Sequence, residues 1–112
     1  MLAARGSHVA RLRCGNLEIS QSGFEVSLAG RPLELTPREH QLLLALARRR
    51  NRVVARPALY ELVWQREMTY RDRSVDVLVR RLRIKLSSAA PGWVYIHTHF
   101  GVGYRFAPER IG

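Results

Sequence analysis

The sequence predicts an α+β domain: a small four-stranded antiparallel sheet, then three helices, then a β-hairpin. Three observations predict it. Apolar and polar residues alternate with period two through residues 9–35. A helix-start signature, Thr36-Pro37-Arg38-Glu39, leads into the helical half, where residues 72–86 are strongly amphipathic and basic. Period-two alternation returns over residues 93–106, interrupted by Phe100-Gly101-Val102-Gly103.

Within the first sheet, Leu17-Glu18-Ile19, Phe24-Glu25-Val26-Ser27-Leu28 and Leu33-Glu34-Leu35 read as strands, with residues 9–13 as the first of four. Gly15-Asn16, Ser22-Gly23 and Ala29-Gly30-Arg31-Pro32 read as the turns between them. At the first helix Thr36 caps, Pro37 fits the first turn and Glu39 completes a capping box. Leu42, Leu43, Leu46 and Ala47 form its buried stripe, and Asn51 ends it. Arg48-Arg49-Arg50 read first as favourable charges at a helix C-terminus, ahead of a phosphate-binding cluster. Val53-Val54 suffices for a single ladder rung.

A second helix is expected over residues 57–64, with Leu59, Leu62, Val63 and Trp64 as its apolar side. Its cap is poor, because Ala55 has no side-chain acceptor, a deficit of roughly 1 kcal/mol. A polar connection carries Arg66, Glu67, Met68, Tyr70 and Arg71. In the third helix Asp72 is the expected N-cap, with Ser74 as a competitor. At 100° per residue, Val75, Leu78, Val79, Leu82 and Leu86 share one face. Arg73, Asp76, Val77, Arg80, Arg81 and Ile84 share the other. In the final hairpin Val94 and Ile96 should face one way, and Trp93, Tyr95 and His97 the other.

Composition narrows the function. A chain of 112 residues holds one domain with one modest core. Its formal net charge is +10, and Lys85 is the only lysine. Arginine's planar fork suits phosphates and guanine edges, although a GC-rich genome also enriches arginine without any functional cause. Cys14 stands alone, so neither an intramolecular disulfide nor a cysteine-rich zinc site can form. One thiol and the absence of a secretion signal suggest the cytoplasm, and no apolar run suits a membrane span. Residues 1–8, with Gly6-Ser7-His8, read as a linker or cloning remnant.

Two helices, the second basic, followed by a two-stranded ribbon make a winged helix-turn-helix: the helix suits a DNA major groove and the ribbon its flank. Residues 9–108 also resemble the C-terminal effector domain of OmpR/PhoB-type response regulators. The resemblance rests on four stretches in order. They are Leu35-Thr36-Pro37-Arg38-Glu39; Leu62-Val63-Trp64; Arg73-Ser74-Val75-Asp76-Val77 with Arg80-Arg81-Leu82-Arg83; and Gly101-Val102-Gly103-Tyr104-Arg105-Phe106. Residues 109–112 fall outside it as a tail.

The resemblance implies roles. Residues matching Arg73, Ser74, Arg80 and Arg83 contact phosphates, as do those matching Trp64, Thr98 and Tyr104. Those matching Asp76, Val77 and Arg81 face bases in the major groove. Chemically, Arg81 suits guanine and Val77 a thymine methyl. Asp76 has a second reading, as an orienting partner for Arg80 four residues on. The family also implies head-to-tail pairs on directly repeated duplex sites, from a chain that can be monomeric alone. It implies contact with RNA polymerase through Arg66, Glu67, Met68, Tyr70 and Arg71. The receiver domain of a two-component regulator is not among these residues, which implies a fragment or a different companion domain.

The wing departs from the pattern. Many relatives place a minor-groove arginine where this chain has Phe100, flanked by His99. Phe100 can pack on sugars, wedge at a base step or fold under the hairpin, and packing is the favoured reading. His97 and His99 share a strand face, but no third metal ligand is evident. Glu18, Glu34, Glu61 and Asp72 form no recognisable catalytic pair, so no enzyme, cofactor, metal or small-molecule substrate is expected. The expected function is sequence-specific binding of double-stranded DNA by a bacterial transcription regulator. The rivals are a winged helix that binds an acidic protein partner and an RNA-binding module.

Overall fold

The structure is a computed structural model and describes residues 11–111. Residues 1–8, Val9 and Ala10 therefore lie outside the described residues, as does Gly112. Strands β1 (Arg11–Cys14), β2 (Leu17–Ser20), β3 (Val26–Leu28) and β4 (Arg31–Pro32) form an antiparallel meander in sequence order. The alternation acts as expected in β2 and β3: Leu17, Ile19, Val26 and Leu28 face the core, and Leu17 pairs with Leu28. The fourth strand differs from the expectation. Arg31 pairs with Leu28 and Pro32 with Ser27, within the segment read as a turn. The chain turns through Ala29 at φ 54° and Gly30 at φ 78°. Leu33 adds one hydrogen bond to Val26, but Leu33–Leu35 leaves the sheet to enter the next helix.

Helix α1 (Pro37–Ala47) has the expected capping box. The Glu39 amide donates to Thr36 Oγ1 at 3.2 Å and the Thr36 amide donates to Glu39 Oε1 at 2.9 Å. Glu39 also accepts from Lys85 Nζ at 2.6 Å, tying the start of α1 to the third helix. Burial, to 2% exposure, pushes the Glu39 carboxyl pKa up, but hydrogen bonds and charge from Lys85 and Thr36 outweigh it and hold it below the ordinary range. At the other end Arg49 Nη1 donates to the Ala45 carbonyl at 2.9 Å, the action of an end charge on a helix C-terminus. Asn51, at φ 68°, then reverses the chain.

Strand β5 (Val53–Ala55) is longer than the single rung expected, pairing with Arg105, Tyr104 and Gly103. Helix α2 (Arg56–Trp64) starts without a side-chain cap, as Ala55 dictates, and ends at Gln65 in the left-handed region. Leu59 and Val63 are buried as expected. Leu62 is exposed, and Tyr60 takes its place in the core.

Helix α3 (Ser74–Ala89) buries Val75, Leu78, Val79, Leu82 and Leu86, the whole predicted seam. Each such side chain contributes about 1.5–3 kcal/mol, an upper estimate because the unfolded chain already buries some of this surface. Asp72 caps from one position further out than expected: Arg73 holds the N-cap site, while the Asp72 carboxylate accepts the Ser74 amide at 2.8 Å.

Strands β6 (Trp93–His99) and β7 (Gly103–Arg110) form the hairpin, and β5 adds to its outer edge, giving the order β5-β7-β6. The expected alternation in β6 fails at a register shift between Val94 and Ile96. This irregularity lets the adjacent Tyr95 and Ile96 both be buried. Strand β7 continues to Arg110, so the first two residues of the expected tail belong to the sheet. Among the described residues no helix is long and apolar enough to cross a membrane.

Candidate nucleic-acid interface

Helix α3 is clamped from behind, which fixes what its front can present. Its apolar face sits in a core shared with Leu42, Leu43, Leu46, Leu59 and Phe106. On the opposite face Val77, Arg80, Arg81 and Ile84 are exposed, as the helical wheel requires. Among the described residues neither Arg80 nor Arg81 makes a side-chain hydrogen bond or salt bridge with another residue. Two guanidinium groups one position apart, with Val77 a turn before Arg81, thus form an unneutralised cationic surface with a small apolar contact in it.

The other outward residues are occupied. Asp76 Oδ1 accepts from Arg56 Nε at 2.8 Å and from the Tyr104 hydroxyl. Arg56 opens α2 and Tyr104 lies in β7, so one carboxylate joins the two helices and the wing. The Arg56 guanidinium also lies over the Tyr104 ring, 5.0 Å from its centroid. Asp76 is therefore on the expected face, but its observed partners are Arg56 and Tyr104, not Arg80. Burial pushes the Asp76 pKa up, and the Tyr104 hydroxyl and Arg56 pull it down further, leaving it below the ordinary range. Burial, helped by Asp76, raises the Tyr104 pKa and keeps the phenol a donor. Tyr104 is 4% exposed and its hydroxyl is committed to Asp76, which does not offer it to a phosphate as the sequence reading expected.

Arg83 makes the second link between α3 and the wing. Its Nε and Nη2 donate to the Ile96 carbonyl at 3.2 and 2.9 Å, and Nη2 also reaches Thr98 Oγ1 at 2.6 Å. Arg83 and Thr98, both expected at phosphates, are thus bonded to each other at the seam. Arg73 is exposed and Ser74 half-buried at the N-terminus of α3. Trp64 stacks on Tyr60 at 4.6 Å, with Arg38 4.9 Å over its ring. In the connection, Tyr70 is 88% exposed beside Arg71, Arg66 lies over Tyr60, and Met68 packs on the core. The two histidines have local partners: a His97 ring nitrogen lies 2.8 Å from the Ala107 carbonyl, and His99 accepts from Arg105. Phe100 is 91% exposed, so it does not fold under the hairpin.

Comparison with known proteins decides the family. A family model described as "Transcriptional regulatory protein, C terminal" matches residues 30–106. The chain belongs to this OmpR/PhoB-type family of effector domains. The effector domain is 40% identical over 96 residues to the transcriptional regulatory protein AfsQ1 of Streptomyces coelicolor, covering 86% of this chain and 43% of that one. It is 37% identical over 97 residues to the alkaline phosphatase synthesis regulator PhoP of Bacillus subtilis, covering 87% and 40%. The chain thus spans less than half the length of these relatives. The DNA-binding domain of Escherichia coli CpxR superposes with a TM-score of 0.79 at 32% identity, covering 88% of this chain and 96% of that one. The Klebsiella pneumoniae RstA DNA-binding domain in complex with the RstA box superposes at 0.78 and 32%, covering 87% and 96%.

Sequence reasoning missed Arg56 and Lys85 as members of the scaffold. Arg56 lies 20 positions before Asp76, and Lys85 lies 46 after Glu39, so no local periodicity links either pair. The Asp76 link is testable. Asp76→Asn keeps an acceptor for Tyr104 but loses the charge facing Arg56, and should cost about 1 kcal/mol at neutral pH after discounting for partial exposure. A lowered carboxyl pKa stabilises the fold above the unfolded-state value and loses that contribution as pH falls through the folded-state one. Wild type and variant, compared by denaturant unfolding, should therefore differ at pH 7, and the gap should begin to close only as pH falls below the ordinary aspartate range, about 4. A gap unchanged in acid would show that the charge has no part in it.

Proposed function

We propose that this chain binds double-stranded DNA sequence-specifically as the effector domain of a transcription regulator, with α3 in the major groove. The observation that carries the reading is the outward face of α3, where Arg80 and Arg81 stand around Val77 with no acidic partner among the described residues, while the opposite face is buried in the core. The likeness to the RstA domain in complex with its DNA box supports it.

In this reading Arg73 and Arg80 hold phosphates, with Ser74 and Trp64 assisting, and Arg81 and Val77 read base edges. Asp76, Arg83, Thr98 and Tyr104 hold the wing against α3; Arg83, half-exposed, keeps a further N–H for the backbone. The family supports two further parts of the proposal: head-to-tail pairing on direct repeats, and contact of Arg66, Glu67, Met68, Tyr70 and Arg71 with RNA polymerase. Tyr70 and Arg66 are exposed, as that contact requires.

Competition between a duplex site and its scrambled version tests the reading. The site should compete better, and affinity should fall steeply with salt. Arg80→Ala should weaken binding to every duplex alike and reduce the salt slope by about one unit. Equal competition by both duplexes would leave only a non-specific basic surface, and an unchanged slope would remove Arg80 from the phosphate set.

A further inference from the structure

The tip of the hairpin presents apolar surface where a cationic domain would ordinarily present charge. Phe100 is 91% exposed and Val102 52% exposed. No side chain at positions 100–103 carries a charge or a hydrogen-bond donor. The display is held in place. The Val102 amide donates to the His99 carbonyl at 3.0 Å, and Arg105 Nε bonds His99 at 3.0 Å. Gly101 makes the turn at φ 77°, and the Arg56 amide bonds the Val102 carbonyl at 3.3 Å. The tip also has a fixed place beside α3: Gly101 lines one surface hollow with Arg71, Arg73 and Asp76.

That placement selects a partner. With Val77 and Arg81 facing a major groove, Arg73, assigned to a phosphate above, marks the ridge at its border. The surface beyond that ridge is the neighbouring minor groove. Phenyl cannot be drawn into a narrow groove by charge, but it can contact sugar walls and press against an opened base step. We propose that Phe100 enters the minor groove beside the α3 site and reads it by deformability, favouring a flexible pyrimidine–purine step over a stiff A-tract. This rests on the DNA-binding reading above and adds a second specificity element to it.

The test uses the 112-residue chain, Phe100→Ala and Phe100→Arg, on duplexes that share one selected α3 site. The flanking minor groove carries TA, CA/TG or an A-tract, with 2-aminopurine at the step as a reporter of unstacking. Phe100 makes its contacts with solvent, so both variants should keep the wild-type thermal midpoint. Wild type should bind the flexible flanks about five- to tenfold more tightly than the A-tract, comparable with the cost of a mismatched base pair. The reporter should brighten on binding. Phe100→Ala should keep the α3 site and lose both effects, and Phe100→Arg should move the preference toward the A-tract. A preference that survives Phe100→Ala overturns the proposal. So does an equal loss on all three flanks, which leaves only packing on sugars. If wild type fails to distinguish the α3 site from a scrambled one, the DNA reading itself falls and takes this proposal with it.

Discussion

Replacing Gly103 by Ala is expected to destabilise the domain by about 3 kcal/mol or more, the upper range for overpacking. A Cβ at Gly103 would stand 1.9 Å from the Val54 carbonyl oxygen, 2.8 Å from its carbon and 2.9 Å from Ala55 Cα. All three are backbone atoms of β5, so no side-chain rotation relieves the clash. Gly103 pairs with Ala55 on one side and His99 on the other, so the strain falls on the centre of the β5-β7-β6 sheet. The next residue is Tyr104, which reaches Asp76, and the displacement should therefore also loosen the wing from α3. Urea unfolding measures the effect as a fall in midpoint. Gly92→Ala is the control, because a Cβ there meets nothing within 4 Å and the backbone is not in the left-handed region. Equal midpoints for the two variants would mean that the β5–β7 approach is not essential to the fold.

Arg81→Ala should relax sequence specificity by roughly 1–3 kcal/mol at a good site while leaving the fold intact. The stability expectation follows from exposure: Arg81 projects from the solvent face of α3 and supports no neighbour among the described residues. The specificity expectation follows from chemistry. A guanidinium with all its donors free can bond a guanine edge through two of them at once, which a phosphate contact does not require. The measurement is affinity for a specific and a scrambled duplex at one salt concentration. The ratio should collapse toward one, with scrambled-duplex affinity falling only by the loss of one charge. A proportional loss on both duplexes would make Arg81 a phosphate contact like Arg80.

The parts of the molecule legible in the sequence were those set by local rules. The Thr36–Glu39 box and the five-residue seam of α3 depend on residues within a few turns of each other, and both formed as read. The outward positions of Val77, Arg80 and Arg81 follow from the same seam. What escaped was set by the tertiary neighbourhood. Leu62 has the spacing of a core residue, yet α2 turns Tyr60 inward and leaves Leu62 exposed. Asp76 had a partner in reach four residues along the helix, and found closer ones on α2 and β7. Phe100 has the composition of a buried residue, but a tight turn around Gly101 leaves the core out of its reach. The fourth strand shifted because two ladder partners on β3 captured Arg31 and Pro32, a competition that alternation alone cannot score.

The central claim is that α3 reads sequence in a major groove, and selection of duplexes from a random pool tests it most directly. The account predicts one motif whose best-determined position is a G·C pair, with a thymine methyl within reach of Val77, repeated in direct orientation where two copies bind. The same selection with Arg81→Ala should return that motif with the G·C position degraded. A wild-type pool that stays random after repeated rounds, while still being retained at low salt, would contradict the account and reduce α3 to a basic surface.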